Sequence, residues 1–488
     1  MLRSQQAKQS HKLCYHYEAQ SMKLWFSNTN ALQQSRRIKR RQRIKGERRF
    51  QPAQFLAISF IVAICVGTIL LLLPFSTKSG HISFIDALFT ATSGVCVTGL
   101  IVQDTATYFT PFGQVVILVL FQLGGLGIMT FSTLILFVAG KKISIKDRII
   151  IQQDFLPGAP RDVKSLVKNI FFYALAFEAA GTLFLFLRWQ KDFFWLKALS
   201  NSVFHSVSAF CNAGFSLFSD SFMSYRDDTW INITLFILIV LGGVGFLVLQ
   251  ESKEILSSLV RRKKIRISLH TKMILTMTSF LIVISFVLFL FIEWNRSLKM
   301  FTMKEKIFSS LFQVITPRTA GFNTINLGSL SFAAVFLLIM LMFIGASPGS
   351  TGGGVKTSTI GVIFAFLKSK IKARDSVSLF YRTLPLESVT KAFTVVTLAV
   401  GIIFLSSFIM LIAQPWAGMK EVLFEVFSAF STVGLSLGIT PKLSNFGKIV
   451  IILTMYIGRI GPLTILFAFS RRKAFGKYKY VEETVMIG

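Results

Sequence analysis

The sequence predicts an all-α integral membrane protein with eight transmembrane spans and four re-entrant helices, arranged as four tandem helix–loop–helix repeats. Three observations lead to this fold class. Only 15% of the residues are charged while 53% are hydrophobic, long and short apolar segments alternate, and two glycine positions recur in phase. A soluble core could not hide so much apolar surface, which excludes a soluble enzyme and a disordered scaffold.

The composition is strongly basic, with 53 Lys and Arg against 22 Asp and Glu. In a soluble protein this imbalance would indicate binding to nucleic acid. Here most basic residues lie between apolar segments, where the positive-inside rule accounts for them, so no nucleic acid partner is expected. The four cysteines, Cys14, Cys65, Cys96 and Cys211, lack metal-site spacing and are expected to be free thiols.

Residues 1–49 are polar and basic and form a predicted cytosolic N-terminal tail. No apolar core of a signal peptide precedes residue 54, so a cleaved leader is not expected. The basic end of the tail is suited to anionic lipid. A role in membrane topology alone is an alternative interpretation, and Met22 is an alternative start.

A spanning helix needs about 20 mostly apolar residues. Eight long segments fit this requirement, near 54–74, 112–139, 168–188, 229–250, 272–292, 331–345, 390–413 and 447–469. Four shorter segments lie between the members of successive pairs, at 82–93, 196–210, 304–315 and 419–430. Apolar segments of that length are typical of buried or re-entrant helices.

Each short segment ends in a motif with one glycine, and these motifs recur about every 110 residues, as expected of an internal repeat. The four glycines are Gly99, Gly214, Gly321 and Gly434. A second glycine follows in each later helix, at Gly124, Gly242, Gly345 and Gly458. Two marks that stay in phase predict a fourfold internal repeat.

The repeats give the domain boundaries. The predicted units are repeat 1 at 50–140, a cytosolic linker and repeat 2 at 141–255, a cytosolic linker and repeat 3 at 256–368, repeat 4 at 369–470, and a cytosolic C-terminal tail at 471–488. The linkers between repeats are the basic ones, so the positive-inside rule predicts that the linkers and both termini are cytoplasmic.

Four re-entrant loops around one axis would form a single pseudo-fourfold pore. Non-helical backbone at membrane depth is tolerated only where it is buried or lines a watery cavity. A ring of backbone carbonyls can replace the water shell of a dehydrated cation. Glycine permits the backbone angles that such a turn requires, and the carbonyl end of each short helix favours a cation.

The motifs at 96–100, 210–215, 316–322 and 431–435 carry a family resemblance. Through these motifs, and over about residues 50–470, the chain resembles the Trk/Ktr/HKT superfamily of potassium transporters. Within that superfamily it most resembles the membrane subunit of bacterial Ktr systems. The resemblance implies that these motifs form a selectivity filter that prefers potassium to sodium. The implied potassium-binding residues are Val97, Thr98, Gly99, Asn212, Ala213, Gly214, Thr319, Ala320, Gly321, Thr432, Val433 and Gly434.

Residues 345–358 interrupt an apolar run with five glycines and a proline, which no regular helix tolerates. A phosphate-binding loop is disfavoured, because Val355 separates Gly354 from Lys356 and a membrane span precedes the segment. The resemblance implies an intramembrane gating loop beneath the filter, and a static helix break is the alternative interpretation. The implied gate residues are Gly349, Ser350, Thr351, Gly352, Gly353, Gly354, Lys356 and Arg459.

Three charged residues fall at membrane depth or beside a motif. An arginine in a span, such as Arg459, is costly unless it faces a pore or a partner. The resemblance puts it in the cavity beneath the filter, and snorkelling to the membrane interface is the alternative. We expect Arg318 to brace its loop through hydrogen bonds to carbonyls, and Glu178 to form a structural pair.

The predicted function is potassium uptake across the plasma membrane. No catalytic triad, paired acids or metal motif occurs, so no enzyme activity and no covalently bound cofactor are expected. The resemblance implies sodium dependence with sodium as activator, a homodimer in membrane lipid, and a separate cytosolic nucleotide-binding (ATP/ADP) regulatory subunit. The alternatives are a sodium-preferring or non-selective cation channel of the same fold, and a membrane-embedded enzyme or scaffold.

Overall fold

The computed structural model describes residues 52–127, 163–261 and 267–469, with Glu483. The predicted tail at 1–49, most of the linker after repeat 1 and nearly all of the C-terminal tail lie outside these residues. In the described part the chain is helical apart from loops and one hairpin between β1 (Ser378–Leu379) and β2 (Arg382–Thr383).

Four long helices begin the four repeats. They are α1 (Pro52–Leu72), α4 (Val163–Trp189), α8 (Leu269–Glu293) and α12 (Leu386–Ala413). Each is long and apolar enough to cross a membrane. They leave large apolar side chains exposed, among them Ile69, Phe291 and Phe404. A continuous apolar surface of this kind suits contact with lipid.

Four shorter helices lie at the four short apolar segments. They are α2 (Phe84–Val95), α5 (Trp195–Cys211), α9 (Met303–Ile315) and α13 (Met419–Phe430). Polar caps begin two of them: Ser83 accepts from the Asp86 amide, and Thr302 and Glu305 form a capping box. The carbonyl ends of all four helices are buried. The short helices therefore point into the protein.

The helix that follows the short helix in each repeat, predicted as the second span, is itself short or broken. These helices are α3 (Pro111–Leu126), α6 (Thr229–Val244), α10 (Phe332–Phe343) and α14 (Asn445–Ile460). Three of them end at a glycine with positive φ, namely Gly127, Gly245 and Gly461. A left-handed glycine ends a helix because no side chain opposes that conformation.

After α6, α10 and α14 the chain continues as a separate helix. The helices are α7 (Phe246–Val260), which makes an angle of 105° with α6, α11 (Thr357–Ile371) and α15 (Pro462–Phe469). The expectation of single helices over 229–250 and 447–469 is therefore wrong. Of the expected helix over 112–139, the structure describes the part up to Leu126, where α3 ends, and residues 128–139 lie outside the described residues. Within the described residues, four helices can cross a membrane, or five if α6 and α7 form one span.

One polar contact ties the two long elements of every repeat together at the same place. In each case a residue near the end of the first helix meets the N-cap residue of the second. The contacts are Thr110 Oγ1 to the Phe75 carbonyl (2.6 Å), Arg188 Nε to Asp228 (2.6 Å), the Ser331 amide to Glu293 (3.0 Å), and Gln414 Nε2 to Ser444 Oγ (2.5 Å). The position recurs although the chemistry differs.

A largely buried ion pair joins the first and last repeats. Lys448 Nζ on α14 lies 2.6 Å from Asp86 Oδ1 on α2, and both side chains are 12% exposed. Gln103 Nε2 also donates to Asp86, at 3.4 Å. The contact spans 362 positions of the chain, so it closes the arrangement of repeats.

We expect Asp86→Asn to lower the melting temperature of the detergent-purified protein by several degrees. The change leaves the Lys448 ammonium without its counter-charge, and a charged hydrogen bond is worth about 1.5–3 kcal/mol. Differential scanning fluorimetry of Asp86→Asn, Lys448→Met and the double variant forms a double-mutant cycle. Additive effects in the cycle would contradict a direct interaction between the two side chains.

Candidate functional site

The turn after each short helix has the same unusual backbone in all four repeats. The residue two positions before the motif glycine and the glycine itself both have positive φ. These residues are Val97, Gly99, Asn212, Gly214, Thr319, Gly321, Thr432 and Gly434, with φ between 51° and 92°. Positive φ is rare for branched side chains such as Val and Thr. Strain that recurs at one position of four repeats marks a functional site.

The four glycines, Gly99, Gly214, Gly321 and Gly434, lie against one another in a closed ring, called here the glycine ring. A Cβ atom built on Gly214 would lie 3.0 Å from Gly321 Cα and 3.4 Å from Gly99 Cα. One on Gly321 would lie 3.4 Å from Gly434 Cα, and one on Gly434 would lie 3.0 Å from Gly99 Cα. Each motif therefore touches the next, and the fourth closes on the first.

The residues between the positive-φ positions are buried, and their carbonyls lie against the glycines of neighbouring motifs. Thr98, Ala213, Ala320 and Val433 have no exposed surface. A Cβ on Gly99 would overlap the Ala213 carbonyl, and one on Gly214 would lie 3.0 Å from the Ala320 carbonyl. Main-chain oxygen atoms therefore line the contact between neighbouring motifs.

Hydroxyl side chains hold these turns from behind. Ser93 Oγ accepts from the Gly99 amide at 3.0 Å, and Ser428 Oγ accepts from the Gly434 amide at 3.1 Å. In the other two repeats Ser208 Oγ donates to the Phe215 carbonyl at 2.8 Å, and Thr316 Oγ1 donates to the Phe322 carbonyl at 2.7 Å. These residues were not predicted from the sequence. Ser93 and Ser428 each lie six positions before the glycine of their motif, and this shared spacing was a usable signal.

Two buried ionisable side chains hold the chain just after the ring. His205 Nε2 accepts from the Leu217 amide at 3.1 Å, and Glu425 accepts from Ser436 Oγ at 2.7 Å. Both lie on short helices, α5 and α13, at corresponding positions before their glycines. They were also missed, because an isolated His or Glu in an apolar helix carries no local motif.

The glycine-rich loop 345–357 packs directly against the ring. Its ends are joined by the Gly345 amide, which donates to the Val355 carbonyl at 2.9 Å. A Cβ on Gly352 would lie 2.9 Å from Thr319 Cβ, and one on Gly353 would lie 2.9 Å from Thr432 Cγ2. The absence of side chains at these two positions therefore lets the loop reach the ring residues.

Further hydrogen bonds fix the loop on repeat 2. The Ser347 amide donates to the Gly243 carbonyl at 3.0 Å, and Thr351 Oγ1 donates to the Phe210 carbonyl at 3.3 Å. Within the loop, Lys356 Nζ donates to the Gly352 carbonyl at 2.7 Å. The sequence-predicted gate residues at 349–354 and Lys356 thus share one tight structure.

Arg459 on α14 reaches the same structure. Its guanidinium donates to the carbonyls of Thr351 and Gly124. These carbonyls belong to the glycine-rich loop and to α3, so one side chain connects three elements. The guanidinium thus lies on buried backbone within the protein.

Contrary to the expectation, Arg318 does not bind filter carbonyls. Its guanidinium donates to Thr278 Oγ1 on α8 at 3.1 Å, and the residue is only 5% exposed. The Thr278 hydroxyl belongs to the long helix that precedes this motif in the chain, so the guanidinium bonds to that helix. Arg318 therefore fastens its loop to α8.

Metal-binding chemistry is not apparent in the described residues. No group of three or more His, Cys, Asp or Glu side chains there could hold a metal ion. Cys65, Cys96 and Cys211 are free thiols, and the latter two are buried beside the ring motifs. The oxygen atoms available to a cation at the ring are those of the main chain and of its threonines.

Comparisons with known proteins identify relatives over nearly the whole chain. A family model described as TrkH, a cation transport protein, matches residues 20–478. The chain is 40% identical over 442 residues to the Ktr system potassium uptake protein B of Bacillus subtilis, covering 90% of this chain and 97% of that protein. It is 37% identical over 448 residues to the potassium/sodium uptake protein NtpJ of Enterococcus hirae, covering 90% and 98%.

A solved structure has a similar fold. The crystal structure of the potassium transporter TrkH from Vibrio parahaemolyticus matches with a TM-score of 0.68, covering 87% of this chain and 86% of that one. The two sequences are 20% identical. At that identity the similarity supports the fold alone.

Proposed function

Because the chain belongs to the TrkH family of cation transport proteins, which are membrane transporters and not enzymes, we propose that it takes up potassium across the plasma membrane. The observation that carries the proposal is the closed ring of Gly99, Gly214, Gly321 and Gly434. Four turns that meet around one axis supply main-chain oxygens from four directions, as a dehydrated cation requires.

In this proposal the twelve residues at 97–99, 212–214, 319–321 and 432–434 form the selectivity filter of one pseudo-fourfold pore. Potassium loses its water to the filter carbonyls and moves inward along the membrane potential, which is worth about 2.3 kcal/mol per charge per 100 mV. The carbonyl ends of α2, α5, α9 and α13 add partial negative charge behind the ring. These twelve residues carry the chemistry through their backbone.

We also propose that loop 345–357 and Arg459 form the gate. The contacts of Gly352 and Gly353 with Thr319 and Thr432 support a loop that blocks the path from the ring. The Arg459 guanidinium brings a positive charge beside that path and repels a cation there. Movement of the loop would remove the obstruction by the loop and release Arg459 from the Thr351 carbonyl.

The finer parts of the proposal rest on the relatives. Two Bacillus subtilis relatives are named as potassium uptake proteins B and D of a Ktr system, and NtpJ is named for both potassium and sodium. We propose that this chain forms a homodimer, depends on sodium, and is controlled by a separate cytosolic subunit that binds ATP or ADP. The basic linkers support cytoplasmic termini.

Ion flux into liposomes that contain the purified protein tests the function. We expect potassium influx to exceed sodium influx at equal gradients, and added sodium to increase potassium influx. Protein-free liposomes of the same lipid are the control. Sodium influx equal to or above potassium influx would contradict the proposal and favour a sodium-preferring or non-selective channel of the same fold.

A further inference from the structure

A buried carboxylate lies in the first helix of repeat 2. Glu178 of α4 is 5% exposed. A carboxylate at membrane depth is costly unless polar groups satisfy it. Gln122 Nε2 of α3 donates to both of its oxygens, at 3.0 Å each. The bond crosses from repeat 2 to repeat 1, so Glu178 interacts with a residue outside its own repeat.

The same glutamine reaches the ring. Cys211 Sγ donates to Gln122 Oε1 at 3.0 Å and lies 3.9 Å from Glu178 Oε1. Cys211 ends α5, and the next residue, Asn212, is the first positive-φ residue of the second motif. Three side chains therefore connect the interior of α4 to the start of this motif.

The carboxylate decides which way the glutamine amide points. An ionised carboxylate only accepts hydrogen bonds, so it requires the amide nitrogen of Gln122 on its side. The amide oxygen then faces the other way and accepts from the Cys211 thiol. Replacing Glu178 by a neutral side chain removes this preference, because a primary amide offers both donors and an acceptor.

Tight packing leaves Cys211 little freedom. A Cβ on Gly125 would lie 2.8 Å from Cys211 Sγ. Ser206 Oγ of α5 donates to the Glu178 carbonyl at 2.7 Å, which holds the two helices together. The corresponding positions of two other repeats use different contacts: Arg318 donates to Thr278, and Ser431 packs against Gly354. The second motif thus has its own anchor.

We propose that Glu178 is a positioning residue for cation specificity, which through Gln122 and Cys211 fixes the 212–214 segment in the glycine ring. The proposal rests on the proposed function of the ring as a potassium filter. Selectivity depends on the number and placement of the ring oxygens. Loosening one of four segments lowers discrimination between potassium and sodium, while the other three segments and the gate still conduct.

The test measures the ratio of potassium to sodium influx into liposomes for the full-length protein. We expect Glu178→Gln to lower this ratio about tenfold, the equivalent of one hydrogen bond to a charged group, with total cation influx within about twofold of the unchanged protein. Cys211→Ala should lower the ratio similarly. Cys211→Ser retains a donor and should keep the ratio near that of the unchanged protein.

Glu293→Gln is the matched control. Glu293, at the end of α8, is another buried carboxylate, but it accepts from Ser297 and Ser331, and no hydrogen bond among the described residues joins it to a ring motif. Its replacement should lower the melting temperature and leave the ratio unchanged. An equal fall of the ratio for Glu178→Gln and Glu293→Gln would show a merely structural role and overturn the proposal.

The outcomes separate this proposal from the proposed function. If the protein without substitutions shows no preference for potassium, the proposed function is overturned. If that protein is selective and its Glu178→Gln variant is equally selective, only the role of Glu178 is overturned. If Glu178→Gln does not assemble, the comparison of Cys211→Ala with Cys211→Ser decides, and equal ratios for those two variants overturn the proposal.

Discussion

Gly434→Asp is expected to abolish selective potassium uptake, and Gly99→Asp should do the same. A Cβ at Gly434 would overlap the Thr98 carbonyl and lie 3.0 Å from Gly99 Cα, and the residue has φ of 92°. A side chain there is strained and also pushes apart two neighbouring motifs. The measurements are growth of potassium-uptake-deficient cells in low potassium and ion influx into liposomes.

Gly401→Ala is the matched control for these variants. Gly401 lies inside α12, and a Cβ built on it meets nothing within 4 Å. We expect normal uptake and a small gain in stability, up to about 1 kcal/mol from helix propensity. Normal uptake by Gly434→Asp as well would remove the ring from the mechanism and favour a membrane-embedded enzyme or scaffold.

Shortening the loop within 349–354 is expected to raise basal potassium influx several-fold and to weaken control by the regulatory subunit. The loop touches Thr319 and Thr432 of the ring, and its Thr351 carbonyl accepts from Arg459. Removing this segment takes away the obstruction and the attachment of Arg459 to the loop. Influx is measured in liposomes at matched protein content, with and without the regulatory subunit.

A deletion of the same size in the hairpin 378–383 is the control, because that hairpin lies between α11 and α12 and packs on α11. Its influx should equal that of the unchanged protein. Unchanged influx and unchanged control after shortening 349–354 would show that the loop is not the gate.

The four glycines that the sequence singled out have positive φ and lie against one another, and there is a physical reason why they could be recognised. Glycine is needed wherever backbones touch and φ is positive, so selection on geometry leaves a visible residue at Gly99, Gly214, Gly321 and Gly434. The four repeats multiply that signal. The short helices were visible too, because their length differs from that of a span.

The helix breaks could not be predicted in the same way. Gly127, Gly245 and Gly461 end helices within apolar runs, whereas Gly401 lies in an unbroken one. Hydropathy reports how well a segment suits lipid or a core, and it does not report whether its backbone is continuous. Only the packing around each glycine distinguishes a break from a close helix contact.

The polar contacts behind the ring were hidden for a different reason. Glu178 meets a residue 56 positions away, and Cys211 one that is 89 positions away. The partner of Arg318 is 40 positions away and carries only a hydroxyl. No spacing rule joins such residues, because the fold alone brings them together.

The double attachment of Arg459 sets an energetic threshold. Displacing the loop gives up the bond to Thr351 and keeps the one to Gly124. One hydrogen bond to a charged group is worth about 1.5–3 kcal/mol, so this bond alone contributes a factor of roughly 10 to 150 in favour of the bound loop. A ligand that prefers the displaced loop by a similar factor would offset this contribution, and ordinary coupling energies between sites are of that size.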